Sequence, residues 1–559
     1  MLTSVKDLDL SPKPGKDYWK NSYREWREEF IYFLMVDRFH DNQDRRPESL
    51  PSRGYGSEAQ LTAACGGTLK GITRHLDYIH DLGCTALWLS PVFENTPDSY
   101  HGYAISNYLN IDPRFGTKED LEELVNAAHR LGMRVFLDIV LHHSGDLWYY
   151  PGKCSYYYYD GASFPFEGWR TPDWPIPIEL RNPDLYSKKG QIRNYDRYPE
   201  TREGDFMELK AFRNDDSPEA LYVLDVLTKV HCYWIRETDI DGFRLDAVKH
   251  MGEKAISQFC SIVREYAYKL GKRNYFLFGE LLGPDEMYDR YIGPKTSTFV
   301  DDKAIYYGLN SVLDFPLYHV LADVIKGKAA PEKLIDRYES LRLNALHRGE
   351  FGEFLVTFVD NHDQPGIEFK TRYGFDASED QIIAAMGFLL CALGTPCIYY
   401  GTEQGFNGHG HGDWSLRQTM FDMDHPGVNA LNKEGRLYRQ IAKLAAIRKE
   451  RAALKFGRMY MRMQSPDGKD FELPSLEGGI ISFSRVLFDE EILVVFNSST
   501  TVEREEYIEV DSHINEEGNT FHFLYGSEGE VHILKTQDPH HHFVRLLLKP
   551  CQFVLLCNR

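Results

Sequence analysis

Apolar runs of strand length alternate with helical patterns along most of this chain, from about Ile31 to Gly401. Apolar residues at helical spacing, such as Ile72, Leu76 and Ile79, separate one run from the next. Strands that alternate with helices form parallel sheets, and a set of eight predicts an α/β fold, a closed (β/α)8 TIM barrel. The predicted strands are Ile31–Val36, Cys84–Leu89, Met133–Val140, Ile240–Leu245, Tyr275–Phe278, Val312–Phe315, Phe354–Val359 and Pro396–Tyr400.

Two parts of the chain depart from this alternation. After His143 the helical periodicity does not return until about Leu221, and a connection of that length predicts an inserted subdomain after strand three. Beyond about Glu450, short runs of alternating polarity predict a C-terminal antiparallel β-sandwich. We therefore expect the barrel in residues 1–143, with an N-terminal extension, and in 219–450. The insertion would occupy residues 144–218 and the β-sandwich residues 451–559.

Charge and apolar patterning exclude several classes of protein. The net charge of −20 argues against nucleic acid or an anionic membrane surface as a partner. No window approaches the roughly 18 apolar residues of a membrane span. The nine cysteines lack paired metal-ligand spacing, and Met1–Lys20 contains no continuous apolar stretch. These features predict a cytoplasmic enzyme, although a secretory signal removed beforehand would leave the same sequence.

Four short polar segments follow the predicted strands three, four, five and seven. The carboxyl ends of barrel strands share one face, so these segments should meet there. Among the side chains they supply are three candidate catalytic carboxylates, an arginine and two histidines. Cleavage of an acetal bond between sugars needs a nucleophilic carboxylate, a protonated carboxyl group and donors that hold hydroxyls. The segments are Asp138–His143, Gly242–Asp246, Phe278–Glu280 and Phe358–Asp363.

These segments, in this order, resemble those of the α-amylase family, family 13 of the glycoside hydrolases. The resemblance covers nearly the whole chain and implies a barrel, an insertion after strand three and a C-terminal β-domain. It implies an α-amylase- or maltodextrinase-like enzyme that cleaves α-1,4-glucosidic bonds of starch-derived glucans or maltooligosaccharides with retention of configuration. Further similar stretches are Asp37–Phe39, Gly66–Ile72, Tyr100–Tyr103, Arg114–Thr117 and Tyr399–Glu403.

The resemblance implies a role for each carboxylate. Asp246 would be the nucleophile that forms a covalent glycosyl-enzyme, and Glu280 would be the general acid and then the base. Asp363 would bind sugar hydroxyls and favour the distorted ring. Arg244 lies two residues before Asp246 on a strand and therefore on the same face, where it can hold that carboxylate ionised. We expect Asp138 to serve structure, by bonding to Arg244 or to the backbone.

The substrate would be held mainly by aromatic and imidazole side chains. By the same resemblance, His143 and His362 would donate to hydroxyls at the cleavage point, and Tyr103 would stack on that sugar ring. Lys249 and His250 would line the leaving-group side. The implied substrate-binding residues are thus Tyr103, His143, Arg244, Lys249, His250 and His362.

One departure from the family concerns a cation. Many members have an asparagine where this chain has His142, and that asparagine commonly binds a structural calcium ion between barrel and insertion. Calcium prefers oxygen ligands, and an imidazole is a poor substitute. We therefore expect the Ca²⁺ site to be absent or altered, with no metal ligand and no cofactor required.

Two other functions are compatible with these motifs. A glucanotransferase or a disaccharide-converting member of the family would pass the glycosyl group to a sugar instead of water. A non-catalytic relative would bind sugar only, although such relatives typically lose carboxylates that this chain keeps. The sequence leaves the oligomeric state and the exact α-glucan or maltooligosaccharide open.

Overall fold

A ring of parallel strands forms the centre of the protein. The computed structural model describes residues 2–20, 24–43, 54–152, 156–159, 161–296, 305–348, 355–536 and 541–559. Its largest sheet has eight strands. They are β1 (Ile31–Leu34), β2 (Ala86–Leu89), β3 (Arg134–Ile139), β4 (Gly242–Leu245), β5 (Phe276–Gly279), β6 (Ser311–Val312), β7 (Val356–Thr357) and β8 (Thr395–Tyr399).

The sheet closes on itself. Its strand order is β6-β5-β4-β3-β2-β1-β8-β7, and the adjacent strands are parallel. A parallel bridge between Leu313 and Val356 joins the two ends, with the Asp314 backbone N–H donating to the Val356 carbonyl at 2.9 Å. The predicted (β/α)8 barrel is therefore confirmed, and the strands direct their carboxyl ends to one face.

Helices connect most consecutive strands, and their ends follow sequence signals. Thr117 accepts a hydrogen bond from the Asp120 backbone N–H, while Asp120 accepts one from that of Thr117, so the two residues form a capping box. The longer helices are Leu69–Arg74, Leu76–Asp81, Lys118–Arg130, Pro218–Thr238, Glu253–Lys269, Asp285–Tyr291, Phe315–Ile325, Glu332–Arg348, Glu379–Cys391 and Arg436–Glu450. Four-residue helices are Val36–Phe39, Glu58–Leu61, Glu200–Glu203 and Ala453–Phe456.

Strand six is shorter than the sequence predicted. We expected Val312–Phe315, but β6 ends at Val312 and Phe315 begins a helix. The Asp314 carboxylate accepts a hydrogen bond from the Leu317 backbone N–H at 3.0 Å, and Pro316 fits the first turn because it has no N–H to satisfy. The cap therefore stops the strand. Phe354, where strand seven was predicted to begin, lies outside the described residues.

The insertion leaves and re-enters the barrel through one ribbon. His143–Ser144 pairs antiparallel with Lys210–Ala211, so the two ends of the insertion lie side by side. The helix Pro218–Thr238 then resumes the barrel pattern. Three further strand pairs in the described residues are Phe93–Asn95 with Ile105–Ile111, Pro294–Thr296 with Ile305–Tyr307, and Lys370–Thr371 with His409–Gly410.

Two antiparallel sheets form the C-terminal part, as predicted. Their strands are β9 (Arg458–Met461), β10 (Gln464–Ser465), β11 (Ile480–Leu487), β12 (Glu490–Asn497), β13 (Arg504–Val510), β14 (Thr520–Tyr525), β15 (Glu530–His532), β16 (Leu534–Lys535), β17 (His542–Leu548) and β18 (Phe553–Cys557). An apolar core lies between the two sheets, and the buried Arg485 attaches the larger sheet to the barrel by donating to the Cys391 and Ala392 carbonyls at 2.7 Å. The six-stranded sheet has the order β9-β11-β12-β18-β14-β15, and the four-stranded sheet has the order β10-β13-β17-β16.

Within the described ranges, no helix combines the length and apolar character needed to cross a membrane.

Candidate active site

A single guanidinium group joins the polar residues at the carboxyl ends of β3, β4 and β5. Arg244 is fully buried on β4. Its Nη1 atom lies 2.8 Å from Asp138 Oδ1 and 2.7 Å from Asp246 Oδ1, and its Nη2 atom lies 2.9 Å from Glu280 Oε2. The predicted contact with Asp246 is therefore present. The contact with Glu280 was not foreseen, and it brings both proposed reacting carboxyl groups to one side chain.

Burial and the charge of Asp246 raise the pKa of Glu280 above its ordinary value. Burial raises the pKa of Glu280 to about 7; the charge of Asp246 adds to this rise, whereas Arg244 opposes it. Burial also raises the pKa of Asp246 to about 6, while Arg244 and a hydrogen bond with Glu280 favour its ionised form. Both carboxyl groups therefore have raised pKa values, and that of Glu280 lies above that of Asp246.

A strained turn positions Glu280. Ala247, directly after Asp246, has a φ of 51°, in the left-handed region that residues with a side chain rarely adopt. In this conformation its backbone N–H donates to Glu280 Oε2 at 3.2 Å. The backbone N–H of Glu280 donates to the Leu245 carbonyl at 2.9 Å, and that of Val248 to the Glu280 carbonyl at 3.0 Å. The turn therefore fixes Glu280 beside Asp246.

Asp138 is embedded in the floor of the site. Both of its carboxylate oxygens accept hydrogen bonds from Arg244 Nη1, at 2.8 and 3.0 Å. Its Oδ2 atom also accepts from the Trp88 indole at 3.2 Å and from the Tyr103 hydroxyl at 2.9 Å. Burial raises the pKa of Asp138 to about 6. These contacts match the structural role expected for it.

Tyr103 and His362 form one stacked unit. Their rings lie 5.5 Å apart with 13° between the planes, and the Tyr103 hydroxyl is 2.9 Å from His362 Nε2. Asn361 Oδ1 lies 2.6 Å from His362 Nδ1. Burial lowers the pKa of His362 well below its usual value, so the ring is neutral and can both donate and accept a hydrogen bond.

His143 is also neutral, and one of its ring nitrogens lacks a hydrogen-bond partner in the part of the chain that the structure describes. Burial lowers its pKa to about 3. Its Nδ1 atom lies 3.3 Å from that of His142, whereas its Nε2 atom has no hydrogen-bond partner among the residues described. A buried polar nitrogen of this kind is costly unless a ligand or water satisfies it. This geometry agrees with the sugar contact predicted for His143.

Asp363 is the most accessible of the three carboxylates. Its side chain is 36% exposed, against 12% for Asp246 and 15% for Glu280. Partial burial and the charge of Asp413 raise the pKa of Asp363 to about 6, while Arg417 acts in the opposite direction. An accessible carboxylate can accept hydrogen bonds from two hydroxyls, as the role predicted for Asp363 requires.

Lys249 and His250 contact the insertion. Lys249 forms an ion pair with the exposed Asp196, and its own side chain is only 11% exposed. His250 is buried, with Nδ1 2.6 Å from the Thr201 carbonyl oxygen, and burial lowers its pKa to about 4. Both residues therefore attach the turn after Asp246 to the insertion. Their predicted contacts with the leaving group stay predictions.

The residues around His142 do not suit calcium. The ring of His142 packs 4.8 Å from that of Phe206, and burial lowers its pKa well below the usual value. The carbonyl oxygen of His250, whose ring also contacts that of His142, already accepts a hydrogen bond from Asn214. Among the described residues no group of three or more His, Cys, Asp and Glu side chains could hold a metal. Calcium needs six to eight oxygen ligands, so the set does not fit.

A lysine supplies positive charge inside the insertion. The Lys210 ammonium lies 2.5 Å from Asp146 Oδ1, over the rings of Trp148 and Tyr150 at 5.5 and 5.4 Å. Burial raises the pKa of Asp205 to about 7, although the charge of Lys210 lowers it. Lys210 therefore gives both carboxyl groups a positively charged neighbour within the protein.

We predict that a chelator leaves the stability unchanged. Removal of divalent cations takes away no partner from Asp146 or Asp205, because Lys210 provides their countercharge. The measurement is the thermal unfolding temperature with EDTA, with EDTA plus excess CaCl2, and without either. A clear drop with EDTA that CaCl2 reverses would contradict the prediction.

Other residues near the site carried no signal in the sequence. Lys370 lies 3.8 Å from Asp363 Oδ1 and forms an ion pair with Asp413, and Asp196 pairs with Lys249. Trp88 ends up against Asp138. Lys370 and Asp413 follow strands seven and eight, and position after a barrel strand is the one general rule that could have drawn attention to them.

Comparison with known proteins agrees with this geometry. A family model described as "Alpha amylase, catalytic domain" matches residues 33–425, more than half of the chain. The α-amylase of Streptomyces lividans is 30% identical over 83% of this chain and 54% of its own length. The cyclomaltodextrin glucanotransferase of Klebsiella oxytoca is 27% identical over 69% of this chain and 59% of its own. The chain thus spans somewhat more than half the length of these two relatives.

A solved structure shares the architecture. An Anoxybacillus α-amylase superposes with a TM-score of 0.69 at 25% sequence identity, covering 96% of this chain and 98% of that one. Fold, family match and the arrangement of carboxyl groups agree: this chain belongs to the α-amylase family of glycosidases.

Proposed function

We propose that the protein hydrolyses α-1,4-glucosidic bonds of maltooligosaccharides or starch-derived glucans with retention of configuration. One observation carries the proposal: Asp246 and Glu280 contact the two terminal nitrogens of the same guanidinium, at 2.7 and 2.9 Å. Asp246 and Glu280 also hydrogen-bond to each other, so the two carboxyl groups lie close together, which favours the retaining arrangement. Retaining glycosidases hold theirs about 5–5.5 Å apart, inverting ones about 6.5–9.5 Å.

The first step uses the difference in protonation. The Asp246 carboxylate attacks the anomeric carbon while the bond from that carbon to the glycosidic oxygen breaks. The leaving oxygen takes the proton of Glu280, so a neutral sugar departs and Glu280 becomes a carboxylate. Arg244 contacts both groups and can balance the charge as it moves from Asp246 to Glu280.

The second step reverses these roles. Glu280 takes a proton from water, the water oxygen attacks the anomeric carbon, and the bond to Asp246 breaks. Asp363 accepts hydrogen bonds from sugar hydroxyls, His143 binds a hydroxyl through Nε2, and the Tyr103 ring, backed by His362, stacks on the sugar. Two inversions at one carbon give net retention.

Product analysis tests the proposal. Maltoheptaose is incubated with the protein, the products are separated by size over time, and the anomer first formed is read by NMR. We expect shorter maltooligosaccharides that appear first as the α-anomer. First release of the β-anomer would contradict retention, and no turnover of any α-glucan would contradict the proposed activity.

Transfer to a sugar acceptor is the second candidate, favoured by the similarity to the Klebsiella oxytoca glucanotransferase. The same glycosyl-enzyme would then react with a sugar hydroxyl instead of water. In the experiment above, products longer than maltoheptaose would place transfer first. Their suppression on dilution of the sugar would show that water and sugar compete for one intermediate.

We predict a narrow, bell-shaped pH dependence of kcat/KM. Asp246 must be ionised, so the rate falls as the pH falls through about 6, the pKa to which burial raises this group. Glu280 must be protonated, so the rate falls as the pH rises through about 7. The optimum should lie between these values. Initial rates on maltoheptaose across the pH range measure it, and a flat plateau into alkaline pH would contradict the role of Glu280.

A further inference from the structure

Lys370 lies on a short ribbon beside Asp363. Lys370–Thr371 pairs antiparallel with His409–Gly410, which joins the loops that follow β7 and β8. Gln364, the neighbour of Asp363, accepts a hydrogen bond from the Thr371 N–H at 3.1 Å and donates to the Thr371 carbonyl at 2.7 Å. The ribbon is therefore fixed to the segment that carries Asp363, and the position of Lys370 is set by main-chain contacts.

The ammonium group of Lys370 is held between two carboxylates. It forms an ion pair with Asp413 and lies 3.8 Å from Asp363 Oδ1, while the lysine side chain is only 14% exposed. Of the basic side chains that the structure describes, Lys370 is the one within ion-pair distance of Asp363. Arg417, which lowers the pKa of Asp363 more than Lys370 does, lies 3.6 Å from Asp413, and its Nε atom donates to the His362 carbonyl at 3.0 Å.

A lysine with a freely solvated charge would not show these contacts. Its stem would extend into water and its ammonium group would lie far from a partly buried carboxylate. Here a like-charged pair, Asp363 and Asp413, faces one shared ammonium, and Asp413 raises the pKa of Asp363 whereas Lys370 lowers it. Removal of Lys370 therefore raises the pKa of Asp363, and removal of Asp413 lowers it.

We propose that Lys370 is a positioning residue for Asp363: it holds the Asp363 carboxylate ionised and oriented toward the sugar. Asp413 shares the Lys370 ammonium and thereby limits how strongly Lys370 stabilises the charge of Asp363. This role rests on the proposed glucan hydrolysis. Lys370 acts through Asp363, whose ionised form accepts hydrogen bonds from hydroxyls and stabilises the positive charge of the transition state.

The charged and titratable groups that act on Asp363 come from several elements. Glu280 and Asp413 raise its pKa, and Lys370 and Arg417 lower it. The charge of Asp363 in turn contributes to the raised pKa values of two tyrosines, Tyr195 of the insertion and Tyr318 of the helix Phe315–Ile325. Lys370 and Asp413 can each be exchanged without altering a proposed reacting group.

The test compares pH profiles of kcat/KM on maltoheptaose for four variants. In Lys370→Met, loss of the cation raises the pKa of Asp363, so the acidic limb should move up by about 0.5–1 pH unit. In Asp413→Asn the limb should move down, by less because Asp246 still titrates there. Lys370→Arg should restore the wild-type limb. Lys328→Met, which removes an exposed lysine paired with Asp376, should leave the profile unchanged.

The outcomes separate the two claims. Unmoved limbs in Lys370→Met and Asp413→Asn, with a lower melting temperature or kcat alone, would mean that Lys370 only anchors the ribbon, and would overturn the proposal. Should Lys370→Met fail to fold, the downward shift in Asp413→Asn and the rescue by arginine still decide it. No turnover by the unsubstituted protein would instead overturn the proposed function, and this role with it.

Discussion

Asp246→Asn is expected to reduce kcat on maltoheptaose by at least about 10³-fold, because an amide oxygen cannot form the covalent glycosyl-enzyme. The fold should persist, since Arg244 keeps its contacts with Asp138 and Glu280. The measurement is initial rate at saturating substrate, with circular dichroism and the melting temperature recorded on the same preparation.

A matched control separates chemistry from substitution. Asp225→Asn makes the same change on the exposed side of the helix Pro218–Thr238, where Asp225 pairs with Lys229. This variant should keep the full rate. If Asp246→Asn also keeps nearly normal activity, the nucleophile is a different group and the proposed first step is wrong.

Glu280→Gln should lower the rate on maltoheptaose by about 10²–10⁴-fold, the usual contribution of general acid catalysis. The loss should be far smaller on α-maltosyl fluoride, because fluoride leaves without a proton. The alkaline fall of the pH profile should also vanish, since the group whose pKa burial raises to about 7 is gone. Rates on the two substrates across the pH range measure both effects.

The ratio between the two substrates decides the assignment. Equal losses on maltoheptaose and on the fluoride would show that Glu280 contributes position or charge but does not donate the proton. The exposed Glu265, on the helix Glu253–Lys269, offers the control Glu265→Gln, which should alter neither rate.

Local patterns in the sequence were enough to predict the barrel and the face that carries the carboxylates. Strand and helix periodicities differ, and the carboxyl ends of parallel strands must meet, so Asp246 and Glu280 could be placed near each other without coordinates. The predicted end of strand six was wrong, although the sequence contains the signal that ends this strand. Asp314 two residues before Pro316 is a helix start, and it outweighed the apolar run.

Contacts between distant loops were beyond prediction. Lys249 meets Asp196 across 53 residues of sequence, and Lys370 meets Asp413 across 43. Such pairs depend on how the connections after the strands fold over the barrel, and no periodicity encodes that. The reach of Arg244 to Glu280 likewise depends on side-chain geometry at a strand end, whereas its contact with Asp246 followed from strand alternation alone.

The ribbon formed by His143–Ser144 and Lys210–Ala211 makes the insertion a module that can vary in size. Its two ends are hydrogen-bonded to each other, so the insertion joins the barrel at the same place whatever the length of chain between those ends. The entropy of loop closure rises only slowly with length, by about 0.6 kcal/mol for each doubling. Evolution or an engineer can therefore lengthen, shorten or exchange this part, and with it the walls of the cleft, while His143 stays in register with the reacting carboxylates.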